Sequence, residues 1–261
     1  MSSIRMFILS FLSFATLSLN AQTNIVVFES VERQVALLEL FTSEGCSSCP
    51  RAETWLSGLK RSPRLWLEFV PLAFHVDYWD YLGLRDPWAT KDFSNRQRDY
   101  AASWRSDSIY TPGFVLNGKE WRDGSRPEDG PRSSGAKAGV LKVSSEDLKR
   151  WHVYFVPASA LEGEYEIHLA LLANEVTSDV KAGENRGRRL THDFVVTALA
   201  KSLLKIEANN SAKGELFLAE TLKGQPRRMA IAAWVTRAGK LESVQAVGGW
   251  LPNRSEVDSV K

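Results

Sequence analysis

Apolar and polar positions follow two different periods along this chain. Val35 to Phe41 reads Val-Ala-Leu-Leu-Glu-Leu-Phe, a short apolar run between polar residues, and predicts a buried strand. Beyond Pro50 the period changes: Ala52, Trp55, Leu56 and Leu59 recur at helical spacing. Proline near a helix start is tolerated because the N–H it lacks would be unpaired there. Leu65 to Val76 predicts a second buried strand, interrupted near Pro71. Asp86-Pro87 then predicts an N-cap and first helical residue, with Trp88, Phe93, Tyr100, Ala101 and Trp104 sharing one face of the helix that follows. A strand opening at Pro112 is predicted to turn back at Asn117-Gly118 through Lys119 to Trp121, since Asn-Gly is a strong hairpin signal.

After Trp121 the helical period disappears. Asp123 to Gly139 is rich in Gly, Pro, Ser and charge, the composition of a linker. Val140–Val143, Trp151–Val156, Tyr165–Ala173, Glu215–Ala219 and Met229–Val235 predict strands, and Phe194 to Leu204 suits either a strand or a short helix. The expected organisation is an α/β domain over residues 22–125, a linker over 126–138 and a β-rich C-terminal domain over 139–261.

Residues 1–21 stand apart. Arg5 is followed by an almost unbroken apolar run from Met6 to Leu19, with Ala21 offering a small residue for cleavage. That is the layout of a secretory signal peptide, and the run is short of the ~20 apolar residues of a spanning helix. The expected location is periplasmic or secreted, with no membrane insertion after signal cleavage. The formal charge is +2, and removing Arg5 with the leader leaves +1, which argues against a nucleic-acid partner. A hydrophobic fraction of 44% in 261 residues supports a sizeable core without a disulfide scaffold.

The two cysteines both lie in Cys46-Ser47-Ser48-Cys49. As a staple, so small a ring contributes only about 2 kcal/mol in the loop-entropy estimate, against about 4.7 for a 100-residue loop. The spacing therefore calls for a chemical role. At a strand-to-helix junction, the helix N-terminus favours a thiolate and can lower a cysteine pKa from about 8.5 into the range of about 3.5–7.5. Cys46 is expected to be the exposed attacking thiol and Cys49 the resolving one. His75 and Asp77 are candidates to assist proton transfer. A Cys₄ zinc site is impossible with two cysteines, and His75, His152, His168 and His192 are not paired at finger spacing. An inert pair, or a non-enzymatic copper or zinc module with Cys46, Cys49 and His75 as ligands, stays open beside the redox reading, as does a partner-binding module. No organic cofactor is implied. Gly183 to Arg188 lacks the strand-to-helix setting of a phosphate loop, and reads as a packing loop or a charged turn.

Several longer motifs go further. The segments Glu39-Leu-Phe-Thr-Ser-Glu-Gly-Cys-Ser-Ser-Cys-Pro50, His75-Val-Asp-Tyr-Trp-Asp80, Arg96-Gln-Arg-Asp-Tyr100, Tyr110-Thr-Pro112 and Gly183-Glu-Asn-Arg-Gly-Arg188, with His192, resemble a secreted bacterial thioredoxin-like family, the domain-of-unknown-function family twelve-twenty-three. The resemblance spans roughly Val35 to Val196. It implies export and a thioredoxin-like fold with a cis Thr111–Pro112 bond opposite the cysteines. Thr111 and Pro112 would then present backbone to an incoming polypeptide. The resemblance brings no established substrate; the redox reading of the cysteine pair itself points to protein thiols or disulfides as partners, with a redox partner protein among them. The Trp-Cys-Gly-Pro-Cys of thioredoxin is absent, and Gly45 with the Ser47-Ser48 spacer leaves the direction of transfer open.

Overall fold

A computed structural model describes residues 25–83, 85–122, 127–219 and 225–252. The predicted leader lies outside the described residues. Among those described, the chain forms fifteen β-strands and two α-helices. In order they are β1 (Val26–Glu29), β2 (Ala36–Thr42), α1 (Cys49–Gly58), β3 (Phe69–His75), α2 (Lys91–Ser103), β4 (Gly113–Leu116), β5 (Lys119–Glu120), β6 (Gly139–Ser145), β7 (Arg150–Pro157) and β8 (Tyr165–Asn174). There follow β9 (Val176–Asp179), β10 (Arg189–His192), β11 (Val195–Leu203), β12 (Lys205–Ile206), β13 (Ala212–Phe217), β14 (Arg228–Arg237) and β15 (Ser243–Trp250).

The expected fold class, an α/β thioredoxin-like domain followed by a separate β-rich domain, is corrected here. The chain is mainly β, and one eight-stranded sheet runs β15-β14-β8-β11-β3-β2-β4-β5 through both halves of the sequence. Its joint is the parallel pairing of Val195 with Ala73, reinforced by the Ala73 N–H donating to the Phe194 carbonyl at 2.8 Å. A five-stranded sheet, β1-β6-β7-β13-β12, packs on one face of the C-terminal half. The hairpin β10-β9 forms a small sheet of its own.

Strand periodicity explains this layering. On β14, Ala230, Ala232 and Trp234 enter the core shared with α1 and α2, while Ile231, Ala233 and Val235 enter the core under the five-stranded sheet. Successive side chains point to opposite faces, so a strand covered on both sides reads as a continuous apolar run. Each large apolar side chain buried there contributes roughly 1.5–3 kcal/mol. Phe194 to Leu204 resolves as strand β11, paired antiparallel with β8 from Val195–Ala173 to Leu203–Glu166.

Two local expectations shift. Pro71 does not interrupt β3, which pairs with β2 in parallel register from Ala36–Phe69 to Thr42–His75. The N–H of Ala73 points to the β11 side, so Pro71, two residues earlier, lacks its donor on the edge where β11 pairs only at Ala73. Helix α2 begins later than Asp86-Pro87. Thr90 is its N-cap, its side chain accepting from the Phe93 N–H, while Asp86 accepts from the Trp88 N–H in the preceding turn. The described part of the expected linker is fastened to the N-terminal half: Arg64 donates to the carbonyls of Gly130 and Pro131, and Trp55 Nε1 donates to that of Pro127.

The missed strand β15 carries Gly248-Gly249, which argues against a strand interior. Both glycines are there for close approach. A Cβ on Gly248 would lie 2.6 Å from the Trp66 ring, and one on Gly249 would lie 2.2 Å from the Phe28 ring.

Candidate functional site

The disulfide-bonded pair Cys46–Cys49 sits where buried strand β2 hands over to α1. Cys49 is the first residue of α1, and its N–H donates to the Cys46 carbonyl at 3.3 Å. Ser48 is the N-cap but makes no side-chain cap; its Oγ lies 3.3 Å from Cys46 Sγ instead. The Thr111–Pro112 peptide is cis, and Cys46 Sγ lies 3.7 Å from the Thr111 carbonyl. Trp79 holds that loop, with Nε1 donating to Thr111 Oγ1 at 2.8 Å, and Gln97 Nε2 donates to the Tyr110 carbonyl at 2.7 Å. Trp79 also closes over Gly45, where an added Cβ would come within 2.9 Å of the Trp79 Cβ.

Cys46 is not the exposed thiol expected. It is 1% exposed and Cys49 is 0% exposed, while Ser47 and Ser48 between them face solvent. The loop between β9 and β10, the Gly183 to Arg188 segment, is fastened to the backbone of this buried turn. Asn185 Nδ2 donates to the carbonyls of Glu44 and Cys46 at 2.9 and 2.8 Å, and the Ser47 N–H donates to Glu184 Oε2 at 2.9 Å. Of the two sequence readings for this segment, the packing loop is the one observed, and it packs on the cysteine turn.

Beneath the disulfide lies a buried polar cluster. The apolar face of α1 carries Cys49, Ala52, Glu53 and Leu56, so Glu53 points inward one turn after Cys49. Its carboxylate accepts from Thr42 Oγ1 and meets His192 Nδ1 at 2.5 Å. The other ring nitrogen of His192 lies 3.1 Å from Glu44 Oε1, which also accepts from Ser178 Oγ. Burial pushes the His192 pKa down, but Glu53 and Glu44 outweigh it and raise it to about 10. Burial likewise raises the Glu53 carboxyl, and the His192 imidazolium, His75 and Thr42 together bring it below its usual range. His75, fully buried at the end of β3, has Nδ1 2.8 Å from Asp86 Oδ2. That carboxylate also receives the Glu44 and Trp88 N–H groups. With His75 they overcome the effect of burial and hold the Asp86 pKa low.

The structure thus brings Cys46, Cys49, Thr111 and Pro112 together and places His75 in the adjoining buried cluster. Asp77 is elsewhere in role: its carboxylate accepts from Ser94 Oγ on α2. Sequence reasoning did not single out Glu44, Glu53, Asn185 or Trp79 for a role, and gave Asp86 only that of a helix N-cap. Glu53 had a signal, a carboxylate on the inward face of an amphipathic helix. The others meet only through tertiary folding.

The profile of a family described as a protein of unknown function, DUF1223, matches residues 37–236. The chain belongs to this family. The DUF1223 match takes in every residue of the site, from Thr42 to His192. Among solved structures, the chain is similar to a protein from Agrobacterium tumefaciens determined by X-ray crystallography for a structural genomics consortium. They share 21% identity and a TM-score of 0.59, over 86% of this chain and 97% of that one. It is also similar to HBP35 of Porphyromonas gingivalis, with 13% identity and a TM-score of 0.56 over 85% of this chain and 76% of that one. At these identities the likeness is one of fold. No curated protein matches. Among the described residues, no helix is long and apolar enough to cross a membrane.

Proposed function

We propose that this DUF1223 protein performs thiol–disulfide exchange outside the cytoplasm through Cys46 and Cys49. The observation that carries the reading is the position of Cys46 Sγ, disulfide-bonded at the start of α1 and 3.7 Å from the Thr111 carbonyl. In the oxidising direction, a thiolate of a protein dithiol attacks Cys46 Sγ. A new S–S bond forms, the Cys46–Cys49 bond breaks, and Cys49 leaves as a thiolate near a helix N-terminus that favours it. The second thiolate of the partner then attacks its own sulfur in the mixed disulfide and releases Cys46. Two electrons pass from the partner dithiol to the cysteine pair, and the reverse sequence reduces a partner disulfide. Thr111 and Pro112 present backbone beside the reacting sulfur.

Because Cys46 is buried, the proposed attack at its sulfur begins with an opening of the turn, and the Glu184–Asn185 loop fastened to that turn is the cap taken to move aside. The soft-metal alternative through Cys46, Cys49 and His75 draws no support from the geometry, since the ligand atoms that converge with His75 belong to Glu53 and His192. The test is mutational. Cys46→Ser is expected to abolish exchange with a disulfide-bonded protein substrate. Cys49→Ser is expected to accumulate a mixed disulfide through Cys46, visible by mass spectrometry, because nothing resolves it. Unchanged exchange in both variants, or trapping through Cys49 in Cys46→Ser, sinks the proposal.

A further inference from the structure

Buried donor atoms converge at a second place, apart from the sulfurs. Glu53 on α1, His75 at the end of β3 and His192 at the end of β10 each offer one carboxylate oxygen or ring nitrogen, all within 4.8 Å of one another. The three side chains come from elements distant in sequence and are 6%, 0% and 1% exposed. Two features distinguish this set from an ordinary buried ion pair. Nε2 of His75 is buried and has no hydrogen-bond partner among the described residues. The Nδ1 of the same ring meets the Asp86 carboxylate, which fixes the ring's orientation, and a buried polar atom left without a partner costs free energy. Each imidazole also has a carboxylate at one nitrogen: Asp86 at His75 Nδ1 (2.8 Å) and Glu44 at His192 Nε2 (3.1 Å). Carboxylates in that position orient metal-ligating histidines, fix their tautomer and raise their basicity.

We infer that Glu53, His75 and His192 form a binding site for a divalent first-row transition ion of the zinc type, with Asp86 and Glu44 orienting the two imidazoles. Two imidazoles and one carboxylate are a donor set that zinc accepts, whereas Cu(I) favours thiolates and calcium takes six to eight oxygens. The ion takes the place of the proton between His192 Nδ1 and Glu53, and that proton leaves to solvent. Its ligands bind α1, β3 and β10 to one another, directly under the helix turn that carries Cys49. The site stands apart from the redox proposal, because it uses neither sulfur.

The test uses the full chain with its disulfide intact, stripped with a chelator and titrated with zinc sulfate alone. Equilibrium dialysis with elemental analysis is expected to give one zinc per chain, and the melting temperature is expected to rise as zinc saturates. Glu53→Gln and His75→Gln are each expected to weaken binding at least tenfold, and Asp86→Asn by about ten- to a hundredfold. The Cys46→Ser/Cys49→Ser double variant is expected to bind as the wild type does, and cobalt in place of zinc is expected to show no thiolate charge-transfer band. Absence of stoichiometric zinc uptake by the oxidised wild type ends the proposal, even if the variants fail to fold. So does undiminished binding in folded Glu53→Gln and His75→Gln. Loss of binding in the cysteine double variant, or a thiolate band with cobalt, places the metal on the sulfurs and overturns it as well.

Discussion

Removing the cap from the disulfide tests the proposed exchange most directly. Asn185 is 1% exposed, and its amide nitrogen is shared between the carbonyls of Glu44 and Cys46 at 2.9 and 2.8 Å. In Asn185→Ala, both carbonyls lose this donor while the loop stays closed, but both reach water when it opens. An unsatisfied buried polar group costs about 1–3 kcal/mol. Cys46 keeps a second partner, since its carbonyl also accepts from the Cys49 N–H. A combined value near the low end, about 2 kcal/mol, is therefore appropriate. With tenfold in an equilibrium constant for every 1.4 kcal/mol, the open population rises about thirtyfold. If attack passes through the open state, dithiothreitol is expected to reduce Cys46–Cys49 about 10- to 100-fold faster in the variant. The assay is reduction under excess dithiothreitol, quenched at intervals with a mass-tagged maleimide and read as a gel shift. A rate within twofold of wild type, in a variant shown to be folded by circular dichroism, would refute cap opening as a step.

Other consequences can be checked on stability. Glu39→Ala leaves Arg96, which Glu39 meets at 2.6 Å among the rings of Phe74, Tyr100 and Trp234, without its partner; urea unfolding is expected to show a loss of about 3–5 kcal/mol. A loss below about 1 kcal/mol would mean that the aromatic rings alone hold the guanidinium. Burial, with Arg96 and Lys201, lowers the pKa of His168 from 6.5 to about 3, and Glu166, 3.4 Å away, does not reverse this because Lys201 already pairs with it. Below pH 6.5 the unfolded chain binds a proton at this position that the folded chain does not. The His168 contribution is thus complete above pH 6.5 and declines toward pH 3 by up to about 1.4 kcal/mol per unit. Thermal melts of wild type and His168→Gln from pH 7 to pH 4 are expected to converge as pH falls, and a constant gap counts against this. Gly249→Ala drives a methyl into the Phe28 ring and is expected to cost about 1–3 kcal/mol, read from its denaturation midpoint.

How much of this was legible in the sequence varies along the chain. The segment from Val35 to Trp121 announced most of its elements, because each carries a local signal: the apolar run of β2, the helical period of α1 and the Asn117-Gly118 turn between β4 and β5. The fold class was not legible. Val195 pairs with Ala73 across more than a hundred residues, and nothing in a local window shows that two strand sets share one sheet. Strands β1, β9, β10, β12 and β15 were missed because they are short, polar or glycine-bearing. At the site, Cys46, Cys49, Thr111 and Pro112 were found from spacing and resemblance. The burial of Cys46 was not, because the turn is packed by segments far along the chain, Thr111 and Asn185 among them.

That long reach has a consequence for biogenesis. During synthesis from the N-terminus, Cys46 and Cys49 emerge well before Asn185 and before β8, β11, β14 and β15 can complete the sheet. A nascent chain therefore presents both thiols to passing oxidants and to other unfolded chains until its last third is available. The finished protein then closes the loop over them. The order of residues along the polypeptide thereby sets an interval of open reactivity, which ends when β10 docks and His192 reaches Glu53.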